Sequence, residues 1–192
     1  MLILASSSPR RRQLLADAGL DFETVPSPAE ELHDASIPPG ELCEINAALK
    51  ARAVAGGRPA DTVIGADTLV FLGDEPLGKP AHLDEARQML RRLAGRVHTV
   101  CTGVCVIHPD GSETRFHEKT EVRFRPLTDQ DIEAYLRLTK PLDKAGAYGI
   151  QDRGELIVES IQGAFDNVMG LPVAAVAKAL ADKSGCGNTH GG

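Results

Sequence analysis

The sequence predicts a mixed α/β fold, and three observations carry that expectation. Leu2-Ile3-Leu4-Ala5, the turn Ser6-Ser7-Ser8 and a segment opening at Pro9 read as strand, tight turn and helix. Apolar runs of strand length alternate with helical stripes along most of the 192 residues. His108-Pro109-Asp110-Gly111 has the composition of a hairpin turn, so antiparallel pairs are mixed with crossovers.

In the first element, Leu2 to Ala5 is continuously apolar, as in a strand covered on both faces. Ser7 or Ser8 can cap the following helix, Pro9 fits its first turn, and Gly19 closes it. Phe22 to Val25 is short enough for an edge strand, and Glu30-Glu31 lies in a polar loop running to Pro38-Pro39-Gly40. A helix is expected over Glu41 to Ala55, with Leu42, Ile45, Leu49 and Ala53 facing inward and Gly56-Gly57 as its stop. Asp61 to Leu72 reads as a central strand, and Gly73-Asp74-Glu75-Pro76 as a turn. Asp84 is expected to cap a helix through Ala94, with Ala86, Met89, Leu90 and Leu93 inward. Strands follow over Val97 to Ile107 and Thr114 to Phe124, then a Thr128-capped helix from Asp129 to Leu138. Residues 140–151 form a bend bracketed by glycines, Leu156 to Ile161 a strand, and Gly163 to Gly170 a loop. Pro172 opens a last helix to about Lys183. One domain is therefore expected over 1–183, with a disordered Gly-rich tail over 184–192.

Composition narrows the function classes. With 21 Lys and Arg against 27 Asp and Glu, the net charge of -6 argues against a general nucleic-acid coat. No apolar run approaches a membrane span, and Met1 leads straight into a strand, so a cytoplasmic protein without a signal peptide is expected. Cys43, Cys101, Cys105 and Cys186 are expected to be reduced, with Cys101 and Cys105 on one strand face in the core.

Two stretches carry chemistry. Arg10, Arg11 and Arg12 crowd the first turn of a helix, where each costs about 0.3–1 kcal/mol against the dipole unless an anion is held there. At 100° per residue Arg11 projects over the buried face, Arg10 lies at its edge and Arg12 points to solvent. Arg10 and Arg11 are therefore the candidate anion contacts. The second stretch is Gly65-Ala66-Asp67-Thr68, which sets a carboxylate inside an apolar strand. Asp67 requires a cation, a metal or a dense hydrogen-bond set, and local sequence leaves a structural and a functional aspartate both open. Gly65 allows close approach by another backbone or a ligand. Lys79 is confined between Gly78 and Pro80, while Lys50, at the edge of its helix stripe, reads locally as a lysine reaching to water, or to a phosphate if the helix flanks a cleft. Gln151 offers both a donor and an acceptor, as base-edge reading requires.

Five ordered segments resemble the Maf family of nucleoside triphosphate pyrophosphatases, also called septum formation inhibitor proteins. They are Ala5-Ser6-Ser7-Ser8-Pro9-Arg10-Arg11, Gly65-Ala66-Asp67-Thr68, Lys79-Pro80, Asp143-Lys144-Ala145-Gly146-Ala147-Tyr148-Gly149-Ile150-Gln151 and Asn167-Val168-Met169-Gly170-Leu171-Pro172. The fourth is similar to the branch acting on dTTP and UTP. The resemblance implies two lobes around a deep nucleotide-binding cleft, usually in a homodimer. It implies hydrolysis between the α and β phosphates to a nucleoside monophosphate and pyrophosphate, with a divalent metal cation, Mg²⁺ or Mn²⁺. It makes Asp67 the proton acceptor and, with Glu31, the metal-holding pair. It ties Arg10, Thr68 and Gln151 to substrate choice, and Ser6, Arg11, Glu31, Lys50, Lys79 and Lys144 to the cleft lining. Gln13 and Glu30 depart mildly from the family pattern of an acid and an Asp at those places. A nucleotide-binding regulator of cell division without turnover is the alternative, keeping the basic cleft but not needing Asp67 beside a metal.

Overall fold

The computed structural model describes residues 1–184, so the tail expected over 184–192 lies outside the described residues except for Ser184, which ends the last helix. The described strands are β1 (Leu2–Leu4), β2 (Glu23–Thr24), β3 (Thr62–Leu72), β4 (Glu75–Leu77), β5 (Val97–Ile107), β6 (Glu113–Phe124) and β7 (Val158–Gln162). The described α-helices are α1 (Pro9–Asp17), α2 (Pro39–Ala55), α3 (Leu83–Leu93), α4 (Asp129–Leu138), α5 (Phe165–Met169) and α6 (Val173–Ser184). The strands form one mixed sheet in the order β2-β1-β3-β5-β6-β7, with β4 as a further partner of β3. Pairing of β1 with β2 and β3 is parallel, and the remaining pairs are antiparallel.

β3 and β5 form the spine of the sheet, in register from Val63↔Ile107 to Phe71↔Thr99. The opposite edge of β3 is shared. β1 takes its start, at Thr62 to Ile64, and β4 takes its end, at Val70 to Leu72. Among the described strands none pairs that edge from Gly65 to Leu69. The sheet therefore forks around Asp67 and Thr68. One arm carries β1, β2 and a core of Leu4, Leu15, Ile64, Val104, Leu171 and Val176. The other arm carries α3, α4 and a core built on Leu90, Leu93, Phe124, Ile132, Tyr135 and Tyr148.

α2 lies across the fork on closely packed small residues. A Cβ on Gly65 would stand 2.2 Å from the Ala47 carbonyl oxygen, and one on Gly103 would stand 2.2 Å from the Cys43 carbonyl carbon. The predicted approach at Gly65 is thus made by the backbone of α2. The helix turns a different stripe inward from the expected one. Leu42, Cys43, Asn46, Ala47, Ala51 and Val54 are buried, while Leu49 and Ala53 are exposed. Large side chains drew the expected stripe, but contact at this distance selects small ones.

Other elements differ in detail. Ser8 caps α1, accepting from the Arg11 amide. His82 rather than Asp84 caps α3, its Nδ1 accepting from the Glu85 amide. The expected turn at Gly73 to Pro76 is a hairpin whose second arm is β4. The expected strand from Leu156 starts two residues later, because Arg153 adopts a left-handed φ of 58° and a 3₁₀ turn follows. The expected loop after Gly163 contains α5, too short for a period to show, ended by Gly170 at φ 118°. Cys43, Cys101 and Cys105 are free and buried, as expected, and Cys186 lies outside the described residues. No described helix is long and apolar enough to cross a membrane.

Candidate active site

The fork opens into a cavity of about 650 Å³, ordinary for a small-molecule site. The β1–α1 turn forms one side, β3 the floor, and Lys79 with residues 143–151 the other side. All ten expected site residues line it: Ser6, Arg10, Arg11, Glu31, Lys50, Asp67, Thr68, Lys79, Lys144 and Gln151. Arg12 is exposed and is not part of the lining, as its helical projection requires.

Asp67 is 3 % exposed on the α2 face of β3. Its Oδ1 accepts from Lys50 Nζ at 2.6 Å, and its Oδ2 accepts from Asn46 Nδ2 at 3.1 Å. Lys50 Nζ also donates to Glu31 Oε1 at 2.8 Å. One ammonium group thus joins two carboxylates from separate parts of the chain. Burial pushes the Glu31 carboxyl up, but the Lys50 hydrogen bond and the charges of Lys50, Lys79 and His33 outweigh it and hold it below its ordinary range. The local reading of Lys50 as a solvent-facing lysine is corrected: the shifted stripe of α2 turns it inward.

On the other face of β3, Arg11 ties three elements together. Its Nε donates to the Gly170 carbonyl at 2.8 Å, Nη2 to Thr68 Oγ1 at 3.0 Å and Nη1 to Ser6 Oγ at 3.3 Å. Burial pulls the Arg11 guanidinium below its ordinary range, and Asp67 opposes that pull. Thr68 Oγ1 also meets Thr102 Oγ1 at 2.9 Å, and Thr102 donates to the Asn167 carbonyl. Ser6 Oγ accepts from the Ser8 amide, which shapes the turn into α1.

The facing wall is looser. Lys79 and Gln151 are exposed, and neither side chain has an ion pair or hydrogen bond among the described residues. Arg10 reaches to within 3.9 Å of Asp143. Lys144 is the exception, 4 % exposed and bound to the Lys140 carbonyl, Asp143 and Asp152. It braces the bend it belongs to. Gly149 donates to Tyr135 Oη, and Tyr148 Oη pairs with His98 Nε2 at 2.7 Å beneath the cavity. Burial lowers His98 to about 4, so it supports this wall as a neutral ring.

Asn46 is the functional neighbour that sequence reasoning missed. Its one signal is a polar amide a helical turn before Lys50, visible only once the stripe of α2 is phased correctly.

A forked α/β sheet with guanidinium and ammonium groups facing a carboxylate pair, Asp67 buried and Glu31 half-buried, defines an anion-binding hydrolase-type cleft. The family model for Maf-like proteins matches residues 1–183, and the chain belongs to that family. Among its relatives, dTTP/UTP pyrophosphatase from Akkermansia muciniphila is 53% identical over 93% of this chain and 94% of its own. Another dTTP/UTP pyrophosphatase, from Moorella thermoacetica, is 51% identical over 94% and 93%. The solved structure of the Staphylococcus aureus Ham1 protein shares the fold, with a TM-score of 0.53 at 16% identity over 95% of this chain and 98% of that one.

Proposed function

We propose that this protein hydrolyses dTTP and UTP to the nucleoside monophosphate and pyrophosphate. The Glu31–Lys50–Asp67 array at the floor of a cation-lined cavity is the observation that carries the reading. The relatives' activity and the family membership support it. A triphosphate brings about four negative charges, which Arg10, Arg11, Lys50 and Lys79 are placed to offset. Asp67 receives the proton of the attacking water, and Lys50 keeps that carboxylate oriented. Thr68 and Gln151 serve substrate choice, with Gln151 free to meet a base edge.

A divalent cation, Mg²⁺ or Mn²⁺, belongs to the same proposal. The donor set fits it: the Glu31 and Asp67 oxygens already converge on one cationic atom. No group of three or more metal-ligating side chains occurs among the described residues. That suits Mg²⁺, which takes one or two carboxylates and completes its shell with substrate phosphates and water. When bound, it supplies charge neutralisation on the phosphates and acidifies water. The cytoplasmic homodimer implied by the resemblance completes the proposal.

The test is a panel of canonical and modified triphosphates assayed for pyrophosphate release with Mg²⁺ and with Mn²⁺. Release from dTTP and UTP ahead of dCTP and the purine triphosphates is expected. Tight nucleotide binding with no turnover would favour the regulator instead.

A further inference from the structure

Glu31 and Asp67 act as a pair only if something sets the distance between them. Asp67 is fixed by β3, but Glu31 lies on residues 26–38, which form no helix or strand. Lys50 does not set the spacing, because an ammonium group on a flexible stem follows a carboxylate that moves. Asn46 is built differently. It is fully buried, and both ends of its planar amide are engaged. Oδ1 accepts from the Leu32 amide at 2.7 Å, and Nδ2 donates to the Leu32 carbonyl at 3.1 Å and to Asp67 Oδ2 at 3.1 Å. Those partners settle its orientation, since a flipped amide would set NH₂ against N–H and oxygen against two acceptors. Asn46 thereby treats Leu32 as a neighbouring strand would, pairing both of its backbone groups. The Leu32 side chain is 39 % exposed, and the apolar contact of the segment is made beyond it, by Ile37 against the core around Leu42 and Phe71. Among the described residues, the polar ties of this segment to the body of the protein, apart from the Pro38 carbonyl that accepts from the Leu42 amide at the start of α2, are the Asn46 pair and the Glu31–Lys50 bond.

We propose that Asn46 is a positioning residue that couples the Glu31 segment to Asp67 and holds the two carboxylates at a working separation. The inference deepens the proposed function and rests on it for its kinetic part. Groups that orient metal-holding side chains without touching the metal cost about 10–100-fold in affinity or activity when removed. Asn46→Leu keeps the volume and removes all three bonds. Asn46→Ala, which lets water enter, is measured beside it and carries the same expectation if the leucine variant does not fold.

Three readouts are taken on the full chain. Without nucleotide, hydrogen exchange at the Leu32 amide should accelerate, and Mn²⁺ alone should bind about tenfold more weakly. With dTTP, kcat should fall about tenfold while KM stays within about threefold. Unchanged Leu32 exchange overturns the proposal. Faster exchange with unchanged Mn²⁺ affinity and kcat also overturns it, leaving Asn46 a merely structural tie. If the unsubstituted protein releases no pyrophosphate, the functional reading fails, and Leu32 exchange with Mn²⁺ affinity still decides the role of Asn46.

Discussion

At the α2 end of the cleft each charged group meets another: Lys50 meets Glu31 and Asp67, and Asn46 donates to the second Asp67 oxygen. On the facing wall Lys79 and Gln151 project into the cavity without such partners among the described residues. The difference separates two tasks. Groups that act at a developing charge must be held before substrate arrives, since reorganisation at that moment adds to the barrier. Groups that collect a phosphate tail and test a base can be mobile, provided the backbone beneath them is fixed. Here Lys144, Tyr135 and the His98–Tyr148 pair fix it.

The firmness of that support has a pH signature, and it is the largest stability effect expected. His98 titrates near 6.5 when unfolded and about 4 when buried. Between those values the unfolded chain holds the extra proton, so stability is lost as pH falls through this window. The loss attributable to His98 is about 3 kcal/mol. Urea unfolding of the native chain and of His98→Phe at pH 7 and pH 4 measures it. Equal losses in both would show that the histidine does not carry the effect.

Arg11 and Arg12 sharpen the comparison next. Arg11→Ala removes three hydrogen bonds, to Thr68 Oγ1, Ser6 Oγ and the Gly170 carbonyl, and should cost about 1–3 kcal/mol of stability along with turnover. Arg12→Ala, at an exposed position, should stay within about 0.5 kcal/mol in stability. It should also leave dTTP kinetics unchanged. Thermal melts and steady-state rates of both variants are the check, and equal losses would restore a diffuse basic patch.

The smallest effect belongs to Gln151. Gln151→Glu exchanges an amide donor for an acceptor. It should reorder preference among dTTP, UTP and dCTP while leaving pyrophosphate inhibition and thermal stability unchanged. A uniform loss across all triphosphates would assign Gln151 to the phosphates.

These contrasts also show what the sequence could disclose. The β3 strand with its central aspartate, the Thr128 cap, a serine cap on α1 from the Ser7–Ser8 pair and the outward turn of Arg12 follow from local rules, and the structure agrees, choosing Ser8. The phase of α2 does not follow from local rules. Its buried face is chosen by two glycines on other strands, Gly65 and Gly103, which admit Ala47 and Cys43 and leave Leu49 outside. The inward turn of Lys50 and Asn46 was illegible in the local pattern for the same reason, and only the family resemblance placed Lys50 in the cleft. Burial of a lysine and an amide is tolerable only because Asp67, Glu31 and Leu32 meet them, and those partners lie 14 to 21 residues away along the chain. The gap in β3 pairing was equally hidden, since it arises where β1 and β4 stop.

The division of labour is tested most directly by a crossed measurement on Asp67→Asn and Lys79→Met, taking kcat and the dTTP dissociation constant for each in one buffer. Asp67→Asn should lower kcat by at least about 10²-fold, the low end for removing a general base. Its dissociation constant should stay within about threefold. Lys79→Met should do the reverse, weakening dTTP binding by about tenfold, as expected for one lost charge-assisted contact. Its kcat should change less than its binding, with thermal stability kept. Parallel losses of binding and turnover in both variants would contradict the account.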